Sequence, residues 1–191
     1  VCLEKAQKKN ITNKGTSSSK ISVVTNGVDL DLFTAVSNVK TSSIKYSLGL
    51  NNKFVAMYLG AHGKYNSLDT IIEAATDLRH DENVMFVFVG DGEEKARLEI
   101  MASEENLSNV LFLGSVKRTK AVEILSVADC FLLPNLKGDF FKCNFPNKLF
   151  DYLASERPVI VSGQVEAGRQ EEGGRLVLAQ CSTVLRRRCG E

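Results

Sequence analysis

No stretch of this chain reaches the roughly 18 apolar residues that a membrane-crossing helix needs, so nothing in it is expected to span a bilayer. Charge of one sign is missing too. The 24 basic residues meet 23 acidic ones for a net charge of +1, which leaves no whole-chain footprint for a nucleic-acid partner. Cys2, Cys130, Cys143, Cys181 and Cys189 are odd in number and never spaced as CxxC. That argues against a disulfide framework or a zinc site and for a reducing, cytoplasmic setting. No GxGxxG follows the first strand, which removes the main support for an NAD-type dinucleotide fold. GxxxxGK(S/T) is absent, so this is not a P-loop ATPase, and no HExxH, GxSxG or Cys/His pairing offers a metalloprotease or hydrolase centre. An initiating Met and a signal peptide are also lacking, and the chain opens in a helix-like run, so it reads as a fragment.

What is present suits one well-cored domain: 191 residues, 43% hydrophobic and 25% charged. Residues 1–20, a polar helix and a Lys, Ser and Thr-rich connector, read as the remnant of a preceding domain. Ile21–Val24 reads as a short strand, followed by an Asn26-Gly27 turn and a weak helix over Thr41–Leu48. Apolar runs at Lys53–Gly60, Asn83–Gly90, Val110–Gly114, Asp129–Pro134 and Pro158–Val161 alternate with helical periodicity, as in Leu68, Ile71, Ile72, Ala75 and Leu78. Strand, helix, strand, helix with short buried strands predicts an α/β fold. The expected architecture is a doubly wound, Rossmann-like parallel sheet with helices on both faces. Ligands in such sheets sit at the carboxyl ends of the strands. That edge is expected to carry Gly60, Ala61, His62, Gly63 and Lys64, then Gly90, Asp91 and Gly92, then Val116 and Lys117, then the loop from Pro134 to Phe145.

The chain is organised around Phe145–Gly163. Pro146 opens a helix, Phe150, Leu153 and Ala154 form its expected inward stripe, and Pro158 leads into a strand buried on both faces. A loop entering a helix N-terminus offers N–H groups and positive dipole to an anion. Lys148 could add a mobile charge, and Asp151 one turn on could accept hydrogen bonds from sugar hydroxyls. The competing reading makes Lys148 and Asp151 a surface ion pair. Elsewhere, His80 reads as a solvated helix end, and His62 divides evenly between ligand contact and loop filler. Gly90-Asp91-Gly92 reads first as a turn and cap. Lys117 and Arg118 read as a solvated helix start, with Lys117 placed to face an anion, and Cys143 reads as inert.

Taken in order, these pieces resemble one family. Val24–Phe33 is similar to the "NGVD…F" signature that opens the second domain of GT-B fold glycosyltransferases, and the sequence looks most like their family 4, retaining, members. Tyr58–Gly60, Ile72–Ala75, Val87–Gly92, Val110–Gly114 and Phe145–Ala154 continue the likeness, which covers about residues 20–168. The Ala-His-Gly loop and the Pro-x-Lys-Leu-Phe-acid-Tyr helix look most like the subgroup that builds bacterial surface polysaccharides, often from acetamido-sugar donors. The resemblance implies one GT-B half-domain, residues 21–163, binding a nucleotide diphospho-sugar that is expected to be UDP-linked. It puts ribose hydroxyls on Asp151 and the diphosphate on backbone N–H groups of Asn144, Phe145 and Asn147. Gly60–Lys64 would take diphosphate and sugar, and the loop around Val116 the base. No metal or other cofactor is expected. The acceptor, a glycan or lipid-linked sugar, would meet the N-terminal half, which would also make any peripheral membrane contact at the inner face.

Departures from the family pattern leave other functions open. The acidic residue the family commonly carries about eight positions before the helix acid is missing, since Cys143 and Lys142 stand there. The helix acid is Asp rather than the usual Glu, and His62 stands where many members carry Arg. A non-catalytic nucleotide-binding module and a nucleotide-sugar epimerase on the same fold are the alternatives. A flavodoxin-like regulator would want an aspartate where Gly60 stands. Residues 164–191 depart furthest, and a break in reading frame near Gly163–Gly173 is expected. The chain alone should bind nucleotide weakly and transfer nothing.

Overall fold

The computed structural model describes residue 2 and residues 5–34, 38–134, 146–162 and 176–178. Six short strands pair in parallel: β1 (Phe54–Leu59), β2 (Val84–Val89), β3 (Val110–Leu113), β4 (Cys130–Pro134), β5 (Val159–Ser162) and β6 (Leu176–Leu178). Their order across the sheet is β3-β2-β1-β4-β5-β6. β1 lies against β2 in register from Phe54↔Val84 to Leu59↔Val89, and against β4 through Ala56↔Cys130 and Met57↔Phe131. The chain therefore builds outward from β1 in one direction, then returns to β1's other side. That reversal opens a crevice beyond the carboxyl ends of β1 and β4.

Period-2 alternation in the strands splits the core in two. Val55, Met57, Val87, Val89, Phe131, Leu133, Val159 and Val161 point to one face, covered by α3 (Asn38–Ser47), α6 (Arg118–Leu125) and α7 (Asn147–Ala154). Ala56, Tyr58, Phe86, Phe88, Cys130, Leu132 and Ile160 point to the other, covered by α4 (Asp69–Asp77) and α5 (Lys95–Glu104). All five residues of the expected stripe Leu68, Ile71, Ile72, Ala75 and Leu78 are buried. The doubly wound α/β expectation holds.

Several local expectations change. Ile21–Val24 is no strand; among the described residues Val23 makes only an isolated bridge with Cys2. The first helix, α1 (Lys5–Asn13), runs on into the expected connector, and α2 (Leu30–Thr34) closes the Asn26-Gly27 turn. The expected stripe on α7 is shifted: Leu149 and Tyr152 are the buried apolar pair, Leu153 packs partly against the same core, and Phe150 and Ala154 are only partly covered. Packing against the end of β1 sets that rotation, which periodicity within eight residues cannot. Leu176–Leu178, placed in the atypical tail, pairs with β5 from Val159↔Leu176 to Val161↔Leu178, so the sheet extends past the expected boundary at Gly163. Cys2 and Cys130 are buried and stand outside any disulfide among the described residues. Among the described residues, no helix is long and apolar enough to cross a membrane.

Candidate functional site

The carboxyl edge is assembled from the inside out. Leaving β1, Gly60 takes a positive φ of 153°, and Gly90, leaving β2, one of 136°. The two loops run so close that a Cβ on Gly90 would stand 2.1 Å from the Gly60 carbonyl oxygen, and one on Gly92 would stand 2.5 Å from that of His62. No side chain fits at either place. The contact is cross-linked by backbone: Gly60 N–H donates to Val89 O at 2.9 Å, His62 N–H to Asp91 O at 2.8 Å, and Glu94 N–H to His62 O at 2.9 Å. Asp91 turns its carboxylate back to accept from Gly92 N–H at 2.8 Å, which fits the expected turn but not the expected cap, because the N-cap of α5 is Glu94 and has no side-chain cap.

His62 is fully buried, its ring edge-on to Phe88 and Phe112 and tilted against Tyr58, at 6.1, 6.5 and 6.0 Å between centroids. Neither ring nitrogen has a partner among the described residues. Burial, helped by the nearby Lys95, pushes the imidazole below its ordinary pKa, so it is held neutral. Of the two readings for His62, the side chain supports the loop from beneath and does not face the crevice.

Opposite these loops stands the start of α7. Pro146 takes the N-cap position, φ −69° and ψ 132°, one residue earlier than the first turn, and supplies no side-chain cap. Lys148 reaches across to β1. Its ammonium donates to Tyr58 Oη at 2.6 Å and Asn66 Oδ1 at 3.1 Å, and lies 4.3 Å from the Tyr58 ring centroid. Tyr58 Oη and Asn66 Nδ2 both donate to Ala61 O, each at 2.8 Å, which ties the whole loop to α7. Burial pushes the Lys148 pKa down to about 8 and the Tyr58 phenol up. Lys148 is thus a bolt and not the mobile charge expected.

Asp151 is 9% exposed, and its partner is not Lys148. Arg118 donates Nη1 to Oδ2 at 2.7 Å and Nη2 to Oδ1 at 2.5 Å, a two-pronged pair spanning 33 residues of sequence. The surface Lys148–Asp151 pair is overturned; Arg118 does open α6 and is half exposed, as expected, but its guanidinium is committed to Asp151. Lys148 and Asp151 sit about 60° apart around the helix, so they lean to different neighbours. The hydrogen bonds to Asp151 hold the Arg118 guanidinium above its usual pKa, with a further contribution from Asp29. The Asn26 side-chain amide donates to Asn147 Oδ1, which brings the Asn26–Asp29 turn onto the same helix start. Tyr152 fixes that helix: its hydroxyl accepts from Leu59 N–H at 2.9 Å and donates to Leu59 O at 3.1 Å, while its ring stacks on Phe131 at 4.3 Å.

The structure therefore gathers Gly60 and Gly63, Gly90 and Asp91, and Asn147, Lys148 and Asp151 around one crevice, with the His62 side chain packed beneath it. Lys64 and Lys117 are exposed along its rim, and Val116 packs partly against the core. Asn144, Phe145 and the Lys142–Cys143 positions lie outside the described residues. Sequence reasoning missed Arg118, Tyr58, Asn66 and Tyr152. Only Tyr58 gave a signal, as a polar-tipped aromatic at the end of an aliphatic strand.

Known proteins share the fold and much of the sequence pattern. WcaI of Escherichia coli K12, named for colanic acid biosynthesis and glycosyl transfer, is 30% identical over 152 residues, 79% of this chain and 37% of WcaI. The crystal structure of Anabaena Alr3699/HepE in complex with UDP and glucose superposes with a TM-score of 0.81 at 18% identity, over 100% of this chain and 53% of that one. That of WaaG, a glycosyltransferase involved in lipopolysaccharide biosynthesis, gives 0.78 at 18%, again over 100% and 53%. The chain thus spans between a third and about half of the length of these proteins, and the two solved structures establish the likeness in fold. Residues 53–185, from the start of β1 to beyond β6, match the family described as glycosyl transferases group 1, and this chain belongs to that family.

Proposed function

We propose that this chain is the donor-nucleotide half of a retaining glycosyltransferase that moves a sugar from a nucleotide diphospho-sugar, UDP-linked, to a glycan or lipid-linked acceptor of a surface polysaccharide. The observation that carries the reading is the start of α7. A helix N-terminus without a side-chain cap stands at the sheet's reversal point, with a nearly buried carboxylate one turn further in. The diphosphate lies on the N–H groups and positive dipole at Asn147, and Asp151 accepts the ribose hydroxyls. The loops at Gly60–Lys64 and Gly90–Asp91 wall the sugar side, and Val116 and Lys117 the base side. Helix dipole and basic side chains stabilise the departing nucleotide diphosphate without a metal, while the sugar passes through an oxocarbenium-like transition state. UDP in the HepE complex, and the polysaccharide processes named for WcaI and WaaG, support the choice of donor and product class. The acceptor, and any contact with the inner face of the membrane, belongs to sequence beyond residues 21–163, in a cytoplasmic enzyme.

Calorimetric titration with UDP, GDP and ADP tests this. One diphosphate should bind, and Asp151→Ala should weaken it tenfold or more, about 1.4 kcal/mol. A cooperatively folded chain that binds none of the three overturns the reading.

A further inference from the structure

We propose that Arg118 is a latch on the donor site: its guanidinium occupies the Asp151 carboxylate in place of the ribose hydroxyls and must swing toward Asp29 before a nucleotide can seat. The inference rests on the donor-site reading of Asp151 and goes beyond it by naming a device that regulates entry to that site.

A carboxylate takes a vicinal diol through two acceptor positions, one on each oxygen, that face the same way. The Arg118 fork already fills them, with Nη1 on Oδ2 at 2.7 Å and Nη2 on Oδ1 at 2.5 Å. The positions left over point away from each other, too far apart for two neighbouring hydroxyls. Guanidinium and ribose therefore compete for one seat. The Asp151 side chain is 12% exposed, so little of it is left open while the fork is in place.

The occupant is free to leave. Arg118 is the first residue of α6, and its side chain is 50% exposed although both prongs are bonded. Ion pairs at that exposure are weakly held, and a long side chain at the rim pivots without shifting its helix. It also has somewhere to go. Asp29 lies near enough to strengthen the hold on the guanidinium proton, yet the two form no ion pair among the described residues. One Asp29 oxygen accepts from Asp31 N–H at 3.1 Å, which steadies that carboxylate. The bond from Asn26 to Asn147 keeps the whole turn against the start of α7. One guanidinium thus stands between two carboxylates and is bonded to one of them. The closed state sits on Asp151 and the open state on Asp29, and the fraction of time spent open scales the apparent affinity for a ribose.

The test is calorimetric titration of the 191-residue chain with UDP and with 2′,3′-dideoxy-UDP, which lacks both hydroxyls and has no use for an open carboxylate. The ratio of the two affinities measures how freely Asp151 takes the diol, and a change of charge at the rim acts on both nucleotides alike. Each variant is first checked for cooperative thermal unfolding. Arg118→Met should raise the preference for UDP about fivefold. Arg118→Lys, which keeps the charge but cannot hold both oxygens, should raise it about twofold, and it decides the matter if the methionine variant fails to fold. Asp29→Asn, which removes the second seat, should lower the preference about twofold and should change nothing once Arg118 is methionine. An unchanged or lower preference in either arginine variant overturns the latch, leaving the pair a structural tie between α6 and α7. An Asp29→Asn effect that is absent, or that persists without the arginine, overturns it as well. Failure of the donor-site reading is distinguishable, because the folded chain would then bind neither nucleotide, or Asp151→Asn would leave the preference as it is.

Discussion

Between β1 and β2 the ligand edge is fastened by backbone, whereas between β1 and α7 it is fastened by side chains. In the first region, two glycine-bearing loops lie against each other and exchange N–H to carbonyl bonds, with His62 packed beneath. In the second, Lys148, Asp151 and Tyr152 each reach a different neighbour: Tyr58 and Asn66, Arg118, and both backbone groups of Leu59. A backbone junction tolerates no added atom, yet asks only that glycine stand in the right places. A side-chain junction asks for particular chemistry at positions far apart in sequence, and each fastening can be loosened by itself.

Substitutions should separate the two kinds of junction. The largest effect is expected on the backbone side, where Gly90→Ala drives a methyl group into the Gly60 carbonyl at a φ that L-residues avoid. It should lower the unfolding free energy by about 3 kcal/mol, or prevent folding, in urea titration. Tyr152→Phe should come second. It strands the amide and carbonyl of Leu59 while keeping the stack on Phe131, for a loss of about 2 kcal/mol in the same titration.

Lys148→Met should act through pH. The folded lysine has a pKa of about 8 against an ordinary 10.5, so between those values the unfolded chain holds a proton that the folded chain has released. Stability from this residue therefore rises with pH across that window, by about 1–2 kcal/mol once partial exposure is discounted. Unfolding at pH 8 and pH 10.5 should show that rise in the unmodified chain and lose it in Lys148→Met. The smallest effect is expected at His62. Its pKa is lowered from 6.5, so acidification below that value protonates the unfolded chain first and drains stability. His62→Phe should match the unmodified chain near neutral pH and exceed it in acid, since the unpartnered nitrogens disappear. Equal acid sensitivity in both would detach His62 from the junction.

The same division decides what could be read from the amino acids. The strands were legible because runs such as Val84–Val89 are apolar on both faces, and α4 because its stripe has a full helical period. The backbone junction was half legible: glycine at 60, 90 and 92 marks close approach, though nothing local says what approaches. The side-chain junction was nearly silent. Arg118 opens a helix in sequence terms alike whether it faces solvent or Asp151, and the partner lies 33 residues away. The rotation of α7, which turns Tyr152 inward in place of Phe150, is set by Leu59 and Phe131 and not by the helix itself. Ile21–Val24 has strand composition but, among the described residues, only the single bridge to Cys2 beside it, and composition cannot supply a neighbour.

Strand ends ordinarily fray, and their amides exchange with solvent through small local openings. Leu59 is the last residue of β1, yet both of its backbone groups are held by one hydroxyl from α7. Its amide can reach solvent only when the helix lifts away, so the opening that exposes it also dismantles the crevice. Hydrogen exchange at this single position would therefore report how often the molecule, at rest, is without its site.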